Sequence, residues 1–194
     1  MNPTCTLPSD YTFAWRVDLK RNLRLNLVLQ GVGLVWFGLV MLLLWQAFSF
    51  LRPADEEMVI AAEPLLFVSG MLAVIAIAVT LHELVHGLAF WWFTRQIPKF
   101  GIGPGYAYAA MPGWYFPKHQ YLTVGLAPLV GLTLLGLMVV PLLPNAWLAP
   151  FFVGLAMNAG GAIGDIYICL RIARERGDIL IRDLGDGFEV YRRG

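Results

Sequence analysis

Two histidines and a glutamate lie close together in the segment His82-Glu83-Leu84-Val85-His86. On an α-helix, residues four positions apart share one face, so both imidazole rings can reach the same metal ion. Zinc binds imidazole nitrogen readily, and a catalytic zinc site leaves one coordination position open for water. Glu83 is not expected to bind the metal, but it is placed to take a proton from that water. The segment therefore predicts metal-assisted hydrolysis.

These residues belong to a chain with the composition of an integral membrane protein. Of its 194 residues, 58% are hydrophobic and 14% are charged, whereas a soluble domain carries about 25% charged residues. Four apolar stretches each approach or exceed the roughly 20 residues that a membrane-spanning helix needs, and they cover residues 25–48, 65–93, 121–143 and 146–172. The sequence therefore predicts an all-α membrane protein with four transmembrane helices. The net charge of +1 gives no support for a nucleic-acid partner.

Asp165 is the predicted third metal ligand. An ionisable side chain inside a membrane span costs about 2.5–3.5 kcal/mol on insertion scales. Away from their ends, the four stretches contain no Asp, Glu, His, Lys or Arg other than the motif residues and Asp165. At 1.5 Å per helical residue, His86 and Asp165 lie about 10 and 9 Å from the same ends of their spans. Both residues therefore fall at one depth, in the inner third of the membrane.

His119 is the alternative third ligand. It follows Lys118 at the beginning of the third stretch, by the inner interface. An interfacial histidine beside a lysine is usually solvated, so Asp165 is preferred. The candidate metal ligands are therefore His82, His86 and Asp165, and Glu83 is the candidate catalytic base.

Asn158 is a second candidate catalytic residue. It precedes Asp165 by seven residues, which places both on one face of a helix. Its side-chain amide could donate a hydrogen bond to a bound peptide carbonyl or to the oxyanion formed from it. Gly160, Gly161 and Gly164 lie between or beside these two residues. Such glycines permit close helix approach or local unwinding around a site.

The distribution of basic residues predicts the orientation. If both termini are cytoplasmic, 13 of the 14 Lys and Arg residues lie on the cytoplasmic side, as the positive-inside rule requires. The chain then forms a single membrane-embedded domain over residues 1–194. It has a cytoplasmic N-terminal segment (1–24), a four-span core (25–172) and a cytoplasmic tail (173–194).

Two segments outside the spans have the composition of β-hairpins. Residues 100–117, between the second and third helices, are rich in Gly, Pro and aromatic residues. They form either an interfacial aromatic anchor or a short hairpin whose free edge pairs with an extended substrate. The tail predicts strands at 179–184 and 188–191 around a turn at 185–187. This tail hairpin is expected to be a cytoplasmic cover or partner surface, with its acidic side chains solvated.

Glycines in the first and third stretches are predicted to permit tight helix packing. They are Gly31, Gly33, Gly38, Gly125, Gly131 and Gly136.

Several of these segments resemble one protein family. The run His82-Glu83-Leu84-Val85-His86-Gly87, Ala127-Pro128-Leu129, Asn158 and Gly164-Asp165 are similar to small bacterial zincin peptidases, distant relatives of the site-2 intramembrane proteases. The resemblance implies that His82, His86 and Asp165 bind zinc and that Glu83 activates water. It also implies a protein of the bacterial cytoplasmic membrane. The implied partners are the lipid bilayer and a membrane protein or peptide substrate cleaved near the cytoplasmic face.

A non-catalytic alternative uses the same ligands. A membrane protein that transports or senses a metal, or serves as a scaffold, could hold an ion at His82, His86 and Asp165. Such a protein has no need of a carboxylate at the second position of the motif, so Glu83 favours the enzyme.

Overall fold

The computed structural model describes residues 2–18, 21–51, 64–103, 106–185 and 187–194. Within these residues, four helical segments are long and apolar enough to cross a membrane: Leu23–Phe50, Phe67–Thr94, Lys118–Leu142 and Asn145–Ala173. Only 6% of the most apolar window in each of the first two is buried inside the protein. Apolar surface of this extent is unfavourable in water. The four helices are compatible with a membrane protein, and they coincide with the four predicted stretches.

The helices begin and end as follows: α1 Leu23–Leu51, α2 Pro64–Thr94, α3 Lys118–Val139, α4 Asn145–Gly161 and α5 Ile163–Ala173. A short 3₁₀ turn, Val140–Leu142, extends α3. The predicted loop between the first two spans falls largely on residues 52–63, outside the described residues.

The fourth predicted span consists of two helices. The chain leaves the α-helical ladder at Ala162 (φ −69°, ψ −3°), whose N–H still bonds to the carbonyl of Asn158 at 3.1 Å. Glycine costs about 1 kcal/mol relative to alanine in a helix interior, so Gly160, Gly161 and Gly164 weaken the helix around this break. As a result α5 begins at Ile163 and holds Asp165 in its first turn.

Helix packing depends on some of the predicted glycines. A Cβ atom at Gly33 would lie 2.7 Å from the carbonyl oxygen of Gly160, and one at Gly160 would lie 2.9 Å from that of Gly33. Helices α1 and α4 therefore cross backbone to backbone at these two residues. Added Cβ atoms would also meet neighbours at Gly125 and Gly136, but would have nothing within 4 Å at Gly31, Gly38 and Gly131.

A four-stranded antiparallel sheet joins the two ends of the chain. Its order is β1 (Tyr11–Asp18), β6 (Gly187–Arg193), β5 (Ile179–Asp183) and β4 (Tyr115–Pro117). Its core includes Phe116, Ile181 and Phe188, all fully buried. The predicted tail hairpin is present, although its residue 186 lies outside the described part. The N-terminal segment, for which no strand was predicted, supplies β1, so strands contribute more than the all-α description allows.

A separate two-stranded hairpin follows α2. Strands β2 (Lys99–Gly103) and β3 (Tyr106–Ala110) pair antiparallel, with Gly103 opposite Tyr106 and Ala109 opposite Phe100. The ring of Phe100 packs against Gly87, where an added Cβ would lie 2.6 Å from it. The predicted hairpin between the second and third spans is therefore present, and it packs against α2 next to His86.

Candidate metal centre

Three of the predicted site residues converge on one point. Nε2 of His82 lies 3.1 Å from Oδ2 of Asp165, and Nε2 of His86 lies 3.3 Å from the same oxygen. All three ligand atoms lie within 4.8 Å of one another. Two ligands of a tetrahedral zinc ion, each about 2.0–2.1 Å from the metal, are about 3.3–3.4 Å apart. The nitrogen and oxygen donors, and their spacing, therefore fit a zinc ion.

Two elements provide these ligands. The His82 and His86 rings project from successive turns of α2, with their centroids 4.9 Å apart, and each residue is 7% exposed. Asp165 comes from the first turn of α5. The positive end of a helix dipole favours a carboxylate at this position. The break at Ala162 thus places the carboxylate of Asp165 at a helix N-terminus, close to both histidines of α2.

Asn158 contacts the ring nitrogen of His82 that faces away from Asp165. Its Oδ1 lies 2.9 Å from Nδ1 of His82, while its Nδ2 donates to the carbonyl of Pro128 and to Oγ1 of Thr133, both at 3.3 Å. An amide oxygen only accepts, so Nδ1 of His82 carries the proton and Nε2 presents its lone pair. Both hydrogens of the Asn158 amide are thereby engaged with protein atoms.

The ring of His86 is oriented in a similar way, by a main-chain carbonyl of α3. Its Nδ1 lies 2.9 Å from the carbonyl oxygen of Val124. This oxygen also only accepts, so His86 directs the lone pair of Nε2 toward Asp165. Metal-binding histidines usually donate their second N–H to such an acceptor, which fixes both the tautomer and the ring orientation.

Glu83 lies between the two histidines on α2 and faces the same space. Its Oε2 is buried without a hydrogen-bond partner in the described part of the chain. The main-chain N–H of Ala109, on β3, approaches its carboxylate. A buried oxygen left unpaired is costly unless something else occupies the site. This is the arrangement expected of a carboxylate that receives a proton during a reaction.

A cavity of about 890 Å³ contains the centre. Its wall includes the three ligand residues and Glu83, together with Ala107, Tyr108 and Ala109 of β3. Helix α1 also contributes Gln30 and Phe37 to the lining. The cavity has room for several residues of an extended peptide beside the metal-binding group.

The tail also reaches the cavity, through Asp183 at the end of β5. Its carboxylate accepts hydrogen bonds from the N–H of Met111 at 2.8 Å and from the hydroxyl of Tyr121 at 3.1 Å. The residue is 5% exposed, and burial raises the pKa of its carboxyl to about 6. The expectation that the acidic side chains of the tail are solvated is wrong for Asp183. It ties the tail sheet to the end of β3 and to α3.

The structure distinguishes the two candidates for the third ligand. Asp165 stands in the group with the histidines, whereas His119 is exposed at the start of α3 and does not join it among the described residues. Several contacts were not foreseen from the sequence, namely those of Val124, Thr133, Ala109 and Asp183. The only sequence signal near them is Pro128, which interrupts the hydrogen bonding of α3 four residues after Val124.

Comparison with known proteins identifies the family. Residues 75–180 match the model of a family described as "putative zincin peptidase". The match covers more than half of the chain, including both histidines, Glu83, Asn158 and Asp165. The chain belongs to this family, as the resemblance of its motifs indicated. The comparisons found no matching curated protein and no matching solved structure.

Membership suggests a metallopeptidase, and the family description implies zinc. The group His82, His86 and Asp165 is where the described residues could hold such an ion.

Proposed function

We propose that this protein is a zinc-dependent intramembrane endopeptidase of the site-2-protease type. It cleaves peptide bonds in membrane or juxtamembrane segments near the cytoplasmic face. The observation that carries the proposal is the convergence of His82, His86 and Asp165 at zinc-like spacing. Glu83 lies on the same helix and faces the same cavity.

Zinc, when bound, supplies Lewis acidity, which lowers the pKa of water and polarises a carbonyl group. Glu83 takes a proton from the attacking water at its carboxylate and delivers it to the leaving nitrogen of the peptide. Its unpaired Oε2 supports this role, because no donor among the described residues occupies that oxygen. The mainly apolar cavity wall lowers the local dielectric constant, which strengthens the electrostatic interactions inside.

The substrate lies along β3. In a hairpin closed by Gly103 and Tyr106, hydrogen-bonded pairs alternate, so Ala107 and Ala109 direct their N–H and C=O groups away from β2. The approach of the Ala109 N–H to Glu83 supports this assignment. A peptide must be extended to be cleaved, and strand addition to a free edge holds it in that form. Of the two sequence interpretations of this segment, we favour the substrate-binding edge.

The location of the centre follows from the orientation of the chain. Both termini are cytoplasmic in this proposal, which puts the inner ends of α2 and α5 at the cytoplasmic surface of a bacterial membrane. His86 and Asp165 each lie about two turns from these ends, roughly 10 Å deep. Water therefore has a short path to the site, whereas a site at the bilayer centre would lack one.

The experiment uses the detergent-purified protein, with zinc supplied, and fluorescein-labelled casein as a general peptidase probe. Glu83→Gln should retain about one zinc per chain yet lose activity by about 100-fold or more, the size typical of a general base. Glu175→Gln serves as the matched control, because Glu175 lies beyond α5 and pairs with Arg192 at 2.7 Å. It should cleave at the wild-type rate.

Full activity in Glu83→Gln would contradict the mechanism. Zinc flux into proteoliposomes that depends on Glu83, with no peptide product, would instead support the transport alternative.

A further inference from the structure

A proline lies within α3, four residues after the residue whose carbonyl contacts His86. Pro128 is buried in the middle of the helix. Proline has no main-chain N–H, so the carbonyl four residues earlier loses its helical donor. In α3 that carbonyl belongs to Val124, which is itself buried. A buried carbonyl without a partner is unfavourable, so it must find another donor.

His86 is that donor. Its Nδ1 lies 2.9 Å from the Val124 oxygen. With an ordinary residue at position 128, a main-chain N–H would be directed at the same oxygen along the helix axis. The absence of that N–H leaves the Val124 carbonyl available to the imidazole ring.

Pro128 acts on the other histidine through its own carbonyl. This oxygen accepts a hydrogen bond from Nδ2 of Asn158 at 3.3 Å. Fixing the amide nitrogen there directs Oδ1 of Asn158 toward Nδ1 of His82, at 2.9 Å. Pro128 thus affects His86 through its missing N–H and affects His82 through its carbonyl group.

We propose that Pro128 is a positioning residue that sets the tautomers of His82 and His86, with both Nε2 atoms free for the metal. The route to His86 depends on the missing N–H at position 128. This inference rests on the proposed zinc site. It predicts that restoring the N–H weakens zinc binding without destabilising the helix, since proline is the least favourable residue in a helix interior.

The test measures zinc affinity by competition with a chromophoric chelator, and the melting temperature of the metal-free protein, both in detergent. Pro128→Ala introduces a competing N–H and should bind zinc about 10-fold or more weakly, within the range for removing an outer partner of a ligand. Its metal-free melting temperature should equal or exceed that of the wild type. A merely structural role would lower both quantities together.

Two controls distinguish the effect of gaining the N–H from the effect of losing the proline ring. Lactic acid incorporated in place of Pro128 creates a backbone ester with the side chain of alanine and no N–H, and it should restore most of the wild-type affinity. Pro150→Ala makes the same change in α4, eight residues and about 12 Å before Asn158 along the helix. It should leave zinc affinity unchanged.

Wild-type affinity in Pro128→Ala would overturn the inference, as would an ester as weak as the alanine variant. If Pro128→Ala fails to fold, the comparison of the ester with the wild type decides in the same way. Absence of zinc binding in the well-folded wild type would instead contradict the proposed zinc site, and this inference with it.

Discussion

Nδ1 of His82 lies 2.9 Å from Oδ1 of Asn158, so the asparagine expected to donate to substrate contacts a candidate metal ligand instead. Both N–H donors of its amide are bound to Pro128 and Thr133. The relationship makes Asn158 a positioning residue in our account. Donation to an oxyanion, as predicted from the sequence, requires one of these bonds to break first.

The two roles of Asn158 predict different kinetics. If Asn158 orients His82, Asn158→Ala should weaken zinc binding about 10- to 100-fold. Asn158→Asp keeps an acceptor for Nδ1 and should lose less. Chelator competition gives both affinities. Unchanged zinc affinity in Asn158→Ala, with kcat alone reduced, would contradict the orienting role and support oxyanion stabilisation.

The free edge of β3 gives a prediction about substrate. Ala107→Pro removes a main-chain N–H that this edge directs away from β2, so an extended peptide loses a hydrogen bond to the strand. We expect casein cleavage to fall about 10-fold, in line with about 1.4 kcal/mol for one main-chain hydrogen bond, while zinc content stays the same. Ala107→Gly keeps the N–H and is the matched control. Equal activity of the proline variant and the control would rule out strand addition at this position.

Asp183 gives a prediction about pH. Burial raises the pKa of its carboxyl in the folded protein to about 6, against about 3.9 in an unfolded chain. Between these values the folded state binds more protons, so this carboxyl makes the free energy of unfolding fall as pH rises. Above about pH 7 the contribution is constant.

Melting temperatures of the wild type and Asp183→Asn, compared across this range, isolate the effect. The wild type should lose stability relative to the variant between about pH 4 and 6. A difference that does not change with pH would show that the buried carboxyl does not titrate in this window.

The candidate metal-binding group could be predicted from the sequence because its residues are ionisable and lie in otherwise apolar spans. Charged and imidazole groups in apolar spans are energetically unfavourable, so the positions of His82, His86 and Asp165 in the sequence indicate a functional site. The equal depths of His86 and Asp165 could be counted because helix rise is constant. The four spans followed from length and hydrophobicity alone.

The remaining contacts depend on tertiary structure. Strand β1 pairs with β6, more than 160 residues away, and no local pattern specifies a partner at that separation. Asp183 lies in a tail rich in charged and turn residues, and its burial depends on contacts with Met111 and Tyr121, which are distant in sequence. The acceptor of His86 is a main-chain carbonyl, which leaves no residue type to recognise. Its one trace in the sequence is the proline four positions later.

The most direct test of the account is the zinc content of the detergent-purified wild type beside that of Asp165→Ala, measured by elemental analysis. His119→Ala is the matched control, because it removes the alternative ligand from an exposed position. We expect about one zinc per chain in the wild type and in His119→Ala, and much less in Asp165→Ala, as for loss of one of three protein ligands. Full zinc in Asp165→Ala, or a well-folded wild type that takes up no zinc when it is added, would contradict the site formed by His82, His86 and Asp165.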